Sequence, residues 1–191
     1  MHNQEASIRR ITQIKAVIDN GLCRIGPRLD SRQKSDSILV GNASRAVILS
    51  DGVVQLCRSD HPNEAVLLLL SLAGSVAGLR WVLEGAEAEQ RAEMLIGEMR
   101  EPAESVLWQA ARLRRRAEEA GLPAADIEKV LALGRFPMLA GRSGLPWSHV
   151  FKENAEAGTD SATVLDLACR LMDHALQGLA SRWPGNFEMI A

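Results

Sequence analysis

The sequence of 191 residues contains no tyrosine, only three phenylalanines and only three cysteines. Strands favour aromatic and β-branched side chains, so this scarcity argues against a β-rich fold. The cysteines Cys23, Cys57 and Cys169 are widely spaced, odd in number and include no CxxC pair. This pattern argues against a disulfide framework and a cysteine-based zinc site. We therefore expect three reduced, mostly buried thiols in a cytoplasmic protein.

Several motifs that carry chemistry are also missing. The chain has no GxxxxGK[ST] phosphate loop, no GxGxxG, no HExxH and no GxSxG nucleophile elbow. No glutamate lies three residues before any of the four histidines, so the Glu-x-x-His pairs of di-iron bundles are absent. These absences argue against nucleotide hydrolysis, metal-dependent catalysis and serine hydrolysis. We expect no metal and no cofactor.

The apolar segments of the sequence are too short to span a membrane. The N-terminal residues lack the apolar stretch of a signal peptide. The longest uncharged segment, Ala65–Leu79, has fifteen residues, whereas a membrane span needs about 20. Six of the eight residues in Ser71–Gly78 are serine, alanine or glycine. We expect a buried central helix of a bundle, no membrane contact and a cytoplasmic location.

The abundant residues are 26 alanines and 25 leucines, both strong helix formers. Arginine supplies 18 of the 22 basic residues, which is typical of a GC-rich bacterial genome. The net charge of −2 argues against a dedicated nucleic-acid-binding protein, which is usually basic.

Helical periodicity covers most of the chain, and no segment reads as a strand. We predict a single all-α domain over residues 1–191, a bundle of about six to eight helices. Residues 1–35 form a peripheral N-terminal helix and loop, and residues 36–183 form the bundle core. A break is expected near Pro102, and residues 134–147 are expected to be irregular because they hold three glycines and two prolines. The expected helices span residues 7–19, 36–58, 63–84 (the buried central one), 86–120 with the break, 124–133, 146–155 and 160–183.

The central helix carries a face of small residues at helical spacing. Ser71, Gly74, Ser75 and Gly78 lie on this face. One interpretation is a close helix crossing, because a face without bulk lets another backbone approach. The other is that the small face leaves room for a ligand.

A basic cluster follows acidic residues in the charged segment. Arg112, Arg114, Arg115 and Arg116 form this cluster. Basic residues late in a helix complement its dipole, so a solvated helix end is one interpretation. A patch that contacts phosphates of a nucleic acid is the other.

The second half of the chain contains the phrase Arg142-Ser-Gly-Leu-Pro-Trp-Ser-His149 before a final helix. The apolar helix before it is followed by a charged helix that contains Glu89-Gln-Arg-Ala-Glu93. With this order of helices, residues 36–183 resemble the HEPN superfamily of prokaryotic helical bundles.

The resemblance implies a candidate catalytic pair. HEPN ribonucleases carry an arginine, four to six residues and a histidine, and six residues separate Arg142 from His149. The resemblance implies that His149 would transfer a proton during attack by the 2′-hydroxyl and that Arg142 would stabilise the phosphorane, without a metal. It also implies two such sites meeting across a homodimer. Gly144 and Pro146 depart from the family pattern, because one continuous helix cannot carry both residues.

Three functions remain open at this point. The first is a non-enzymatic, homodimeric helical protein that binds a partner or a small ligand. The second is a metal-independent endoribonuclease that uses Arg142 and His149 on RNA. The third is a helical regulator that binds nucleic acid through the basic cluster.

We predict that the purified protein cleaves no single-stranded RNA above a mock preparation. His149→Ala should then lower stability by about 1 kcal/mol, because a hydrogen bond near Trp147 is lost. RNA incubation with and without EDTA, together with the melting temperature, measures both effects. Cleavage that resists EDTA and disappears in His149→Ala at an unchanged melting temperature would contradict this prediction.

Overall fold

The computed structural model describes residues 2–30, 32–84, 87–100, 106–143 and 159–188. Seven α-helices take up nearly all of these residues, and none of them lies in a strand. The predicted all-α bundle of six to eight helices is therefore confirmed. The helices are α1 (His2–Ile25), α2 (Lys34–Arg58), α3 (Pro62–Leu83), α4 (Ala88–Arg100), α5 (Val106–Glu119), α6 (Ala124–Ser143) and α7 (Ser161–Arg182).

Helix α3 is the buried central helix, as predicted. It packs against α2, α4, α5, α6 and α7. Leu69, Leu72 and Leu79 on this helix are fully buried, and each contributes about 1.5–3 kcal/mol to stability by leaving water. The helix begins at Pro62, because proline fits the first helical turn. Asn63 therefore lies inside the first turn of the helix.

Helix α1 is longer than predicted and belongs to the core. The isoleucines Ile11, Ile14, Ile18 and Ile25 are buried, and the helix packs mainly against α7. Their spacing of three, four and seven residues forms one stripe, and α7 covers that stripe. The N-terminal segment expected to be peripheral thus supplies part of the shared core.

Helix α6 runs further than the sequence predicts. A helix ending near Leu133 was expected, but α6 continues past Gly134 and Pro137 to Ser143. A proline removes one backbone donor and a glycine lowers helix propensity, yet neither residue necessarily ends a helix. The expected irregular segment is therefore helical up to Ser143. Residues 144–158, with the short helix expected there, lie outside the described residues.

The charged segment forms two helices, α4 and α5, on either side of residues 101–105. Pro102, where a break was expected, lies outside the described residues. The last helix, α7, begins where expected, because the Asp160 carboxylate accepts a hydrogen bond of 2.8 Å from the Thr163 amide. Asp160 is therefore the N-cap of α7.

Two of the helices, α2 and α3, are long and apolar enough to cross a membrane by length and composition alone. In the bundle, 61% of the most apolar stretch of α3 is buried, against 39% for α2. A core helix of a water-soluble bundle meets the same criterion, so the cytoplasmic location stays a prediction.

Helix α4 is fixed to the start of α2 by a side chain. The Glu89 carboxylate accepts hydrogen bonds of 2.8 Å from the Lys34 amide and 2.9 Å from the Ser35 amide. These two amides have no partner within their own helix, so a residue distant in sequence caps it. The Lys34 ammonium also lies 2.5 Å from Glu93. The backbone hydrogen bonds from Ser35 and Lys34 lower the pKa of Glu89.

We predict that Glu89→Gln lowers the melting temperature at pH 7 and that the difference from the parent shrinks in acid. The lowered pKa means that the ionised carboxylate stabilises the fold above the pKa of an unfolded glutamate, about 4.3. This stabilisation is lost as the pH falls through the lower pKa of the folded state. Thermal melts from pH 7 downwards test it, with Glu118→Gln on exposed α5 surface as the control. A difference that stays constant with pH would contradict the capping role.

Candidate ligand-binding cleft

A cleft of about 460 Å³ opens between α2 and α3 and is bordered by α4 and α5. All four small residues singled out on α3 line it: Ser71, Gly74, Ser75 and Gly78. The helical spacing predicts that these four residues share one face of α3, and in the structure this face lines the cleft. A volume of this size falls in the range of about 300–1,000 Å³ that is typical of small-molecule sites.

The two glycines on this wall differ in their surroundings. A Cβ atom added at Gly74 would meet no atom of the described residues within 4 Å, so the interpretation as a close helix crossing is wrong there. A Cβ at Gly78 would lie 3.5 Å from the Asn42 amide nitrogen and 3.8 Å from a Leu95 methyl group, which is ordinary contact. The cleft is therefore open at Gly74 and closes towards Gly78.

The opposite wall is one face of α2. Its residues recur at positions three and four apart, so they lie on one side of the helix. Sequence reasoning missed this wall, because one sequence does not give the register between two packed helices. The only feature of the sequence that points to this wall is the spacing of Gly41 and Arg45, which lie one helical turn apart on α2. The lining residues of α2 are Ser37, Ile38, Gly41, Asn42 and Arg45.

Each of the three serines of the cleft donates a hydrogen bond to the backbone carbonyl four residues earlier. The Ser75 hydroxyl donates to the Ser71 carbonyl at 3.0 Å, and the Ser71 hydroxyl donates to the Leu67 carbonyl at 3.2 Å. The Ser37 hydroxyl lies 3.4 Å from the Gln33 carbonyl in the same arrangement. Bonding to the carbonyl four residues earlier is common for serine inside helices. It directs each hydroxyl proton to the backbone and leaves oxygen lone pairs for the cleft.

Two arginines supply the charge of the cleft. Arg45 is exposed and forms no ion pair with any described residue. Arg116 has a side chain that is only 13% exposed and pairs with Glu98. Among the described residues that line the cleft there is no aspartate or glutamate. The described lining is therefore positive.

Arg116 is held in place by contacts that join α3, α4 and α5. The guanidinium carbons of Arg91 and Arg116 each lie over the Trp81 ring, 5.4 Å from its centre. The Trp81 indole nitrogen donates to Glu119, and Arg91 donates to the Trp81 carbonyl at 2.7 Å. Cation–π contacts of this kind contribute about 0.5–2 kcal/mol each. They position Arg116 on α5 and Leu95 on α4 at the edge of the cleft.

The basic cluster predicted on α5 is divided among several carboxylates. Arg112 and Arg116 both pair with Glu98, and a smaller space of about 150 Å³ beside Gly74 is lined by these two arginines. On the other side of the helix, two more ion pairs form. They are Arg114 with Glu128, through bonds of 2.5 and 2.9 Å, and Arg115 with Glu119 at 3.8 Å. Three carboxylates for four arginines leave little free charge for nucleic acid, which weighs against a phosphate-binding patch.

The candidate catalytic pair is not brought together by the described residues. Arg142 lies in the last turn of α6, and His149 lies outside the described residues. The ribonuclease hypothesis therefore stays a prediction. The predicted homodimer also stays a prediction.

Cysteine and metal chemistry find little support in the described part of the chain. Burial raises the pKa of the Cys57 and Cys169 thiols to about 11, so both are protonated at neutral pH. Cys23 is exposed, contrary to the expectation of mostly buried thiols. Within the described ranges, no group of three His, Cys, Asp or Glu side chains is placed to hold a metal ion.

No protein-family model, no curated protein and no solved structure matches this sequence.

We predict that Gly74→Leu keeps the stability of the parent, whereas Gly78→Leu destabilises the fold by about 1–3 kcal/mol. The side chain at position 74 enters the open cleft, and leucine has the better helix propensity. At position 78 the added atoms extend beyond ordinary contact with Asn42 and Leu95, and such overpacking is costly. Urea denaturation of the two variants measures the difference. Equal destabilisation by both would show that the cleft at Gly74 is closed in solution.

Proposed function

We propose that this chain is a non-enzymatic helical-bundle protein that binds a small organic anion in the cleft between α2 and α3. The observation that carries the proposal is the combination, in one cleft, of a small-residue wall with two arginines and no carboxylate among its described lining residues. The proposal includes the homodimer and the cytoplasmic location that the sequence analysis predicts.

The charge balance supports an anion as the ligand. The chain as a whole carries a net charge of −2, so the positive cleft is a local feature and not a consequence of a basic surface. Arg116 and Arg112 both pair with Glu98 beside Gly74. The exposed guanidinium of Arg45 lies on the α2 wall and forms no ion pair with any described residue. Guanidinium groups bind carboxylates and phosphates through paired hydrogen bonds, which gives both affinity and orientation.

The shape of the cleft supports a small molecule. The glycines at 41, 74 and 78 remove side-chain volume from both walls, so the helix backbones themselves border the space. Ile38 and Leu95 supply apolar surface for a carbon framework. A pocket with apolar walls and a few convergent polar groups is the usual form of a small-molecule site.

The chemistry of the lining supports binding without catalysis. The described residues that line the cleft include no histidine, cysteine, aspartate or glutamate, which are the usual general acids, bases and nucleophiles. Serine acts as a nucleophile only beside a base, and the three serines of the cleft donate to backbone carbonyls instead. The described lining thus binds and orients a ligand but has no group to transfer its protons.

We predict that inorganic phosphate binds saturably to the parent and at least about tenfold more weakly to Arg45→Gln. A hydrogen bond to a charged group is worth about 1.5–3 kcal/mol, so its loss has an effect of this size. Shifts of the Gly74 and Gly78 amide resonances during titration measure the dissociation constant and locate the site.

The matched control is Arg58→Gln. Arg58 is an exposed arginine on the same helix, thirteen residues further along and so roughly 20 Å away. The substitution removes the same charge at a position outside the cleft, so phosphate should bind to this variant as it does to the parent. Equal weakening by both substitutions, or no shift of either glycine resonance, would contradict the proposed site.

A further inference from the structure

We infer that the ligand of the cleft is a hydroxylated anion, such as a phosphorylated or carboxylated polyol or sugar. This inference rests on the proposed function, because it names the class of anion that the same cleft selects. It follows from the direction of the hydrogen bonds that the lining residues already make.

The walls of the cleft offer hydrogen-bond acceptors beside the arginines. Ser71 and Ser75 donate their protons to carbonyls of α3, at 3.2 and 3.0 Å, and Ser37 donates its proton to the Gln33 carbonyl just before α2. A hydroxyl oxygen whose proton is committed still accepts through its lone pairs. A ligand that only accepts hydrogen bonds leaves these oxygens unmatched, whereas a ligand with donors satisfies them.

The donors of the ligand are hydroxyl groups and not ammonium groups. An ammonium group would lie near the guanidinium groups of Arg45 and Arg116, and like charges repel. No carboxylate among the described lining residues is present to compensate it. A neutral hydroxyl group donates to a serine oxygen without this penalty. The anionic end of the ligand pairs with the arginines, and its hydroxyl groups lie along the serines.

Asn42 fits the same class of ligand. Its amide nitrogen lies on the α2 wall opposite Gly78, and its side chain both donates and accepts. A hydroxyl group likewise donates and accepts, so one ligand hydroxyl can use both atoms of the amide. The glycine backbones of the α3 wall leave space for the carbon chain that joins these hydroxyl groups to the anion.

The experiment compares probes that differ in one group at a time. Glycerol 3-phosphate and propyl phosphate have the same carbon chain with and without hydroxyl groups, and 2-aminoethyl phosphate carries an ammonium group. Glycerate and propionate make the same comparison for a carboxylate and so separate the two anion sources. Titration calorimetry and the Gly74 amide resonance report binding to the full chain.

We expect glycerol 3-phosphate or glycerate to bind about fivefold tighter than its hydroxyl-free partner, as one or two neutral hydrogen bonds would give. The double substitution Ser71→Ala/Ser75→Ala should remove this preference while both probes still bind. Ser71→Thr in the Ser75→Ala background should restore part of it, because threonine keeps a hydroxyl that bonds to the same carbonyl. Ser181→Ala, on an exposed position of α7, is the control and should change nothing. Melting temperatures verify that each variant is folded.

The outcomes separate this inference from the proposed function. If the hydroxylated and hydroxyl-free probes bind equally, or 2-aminoethyl phosphate binds best, the inference is overturned and the anion site stands. If the preference survives the double serine substitution, the serines do not select the ligand and the inference is again overturned. If none of the anionic probes binds in a manner sensitive to Arg45→Gln, the proposed function itself fails.

Discussion

A helix that is apolar on nearly all sides has to be enclosed by neighbours, and in this chain that helix is α3. Five other helices pack around it, and its leucines at 69, 72 and 79 are fully buried. Along the face of Ser71 and Gly74 small residues leave the enclosure open, and the cleft against α2 lies there. The same residue choice that lets α3 fit the centre of the bundle therefore also creates the space beside it.

Polar contacts fix the helices that border this space. Glu89 caps α2 from α4, and the stacked guanidinium groups on Trp81 join α4 and α5 to α3. Glu98 pairs with both Arg112 and Arg116 and holds these two arginines beside Gly74. Each of these contacts joins helices that are distant in sequence, so the shape and the charge of the cleft depend on tertiary packing.

Much of the fold was predictable from the sequence, because helix propensity and hydrophobic periodicity are local properties. They predict the all-α class, the buried helix near residues 63–84 and a last helix that begins near residue 160. The extent of α6 beyond Pro137 was not predictable, because helix-breaking residues lower propensity without always ending a helix. The burial of α1 was underestimated, because its isoleucine stripe acquires a partner only once α7 is in place.

The candidate site was half predictable. Spacing alone placed Ser71, Gly74, Ser75 and Gly78 on one face, but it did not decide between a crossing and a cleft. That decision depends on where α2 lies, and α2 approaches Gly78 while leaving Gly74 open. The contribution of Arg45 was missed because an exposed arginine on a helix usually faces solvent. The pairing of the α5 arginines with glutamates was also invisible, because two of those glutamates lie on other helices.

The central claim is that the cleft between α2 and α3 is an anion site. Selenate has the size and charge of a phosphate-like anion, and its selenium gives an anomalous X-ray signal that identifies it without ambiguity. In crystals of this protein soaked in selenate, our account predicts an anomalous peak inside the cleft, within hydrogen-bond distance of the Arg45 guanidinium and adjacent to Gly74. A selenate peak elsewhere on the protein, together with no peak in a cleft that is free of crystal contacts, would contradict this claim.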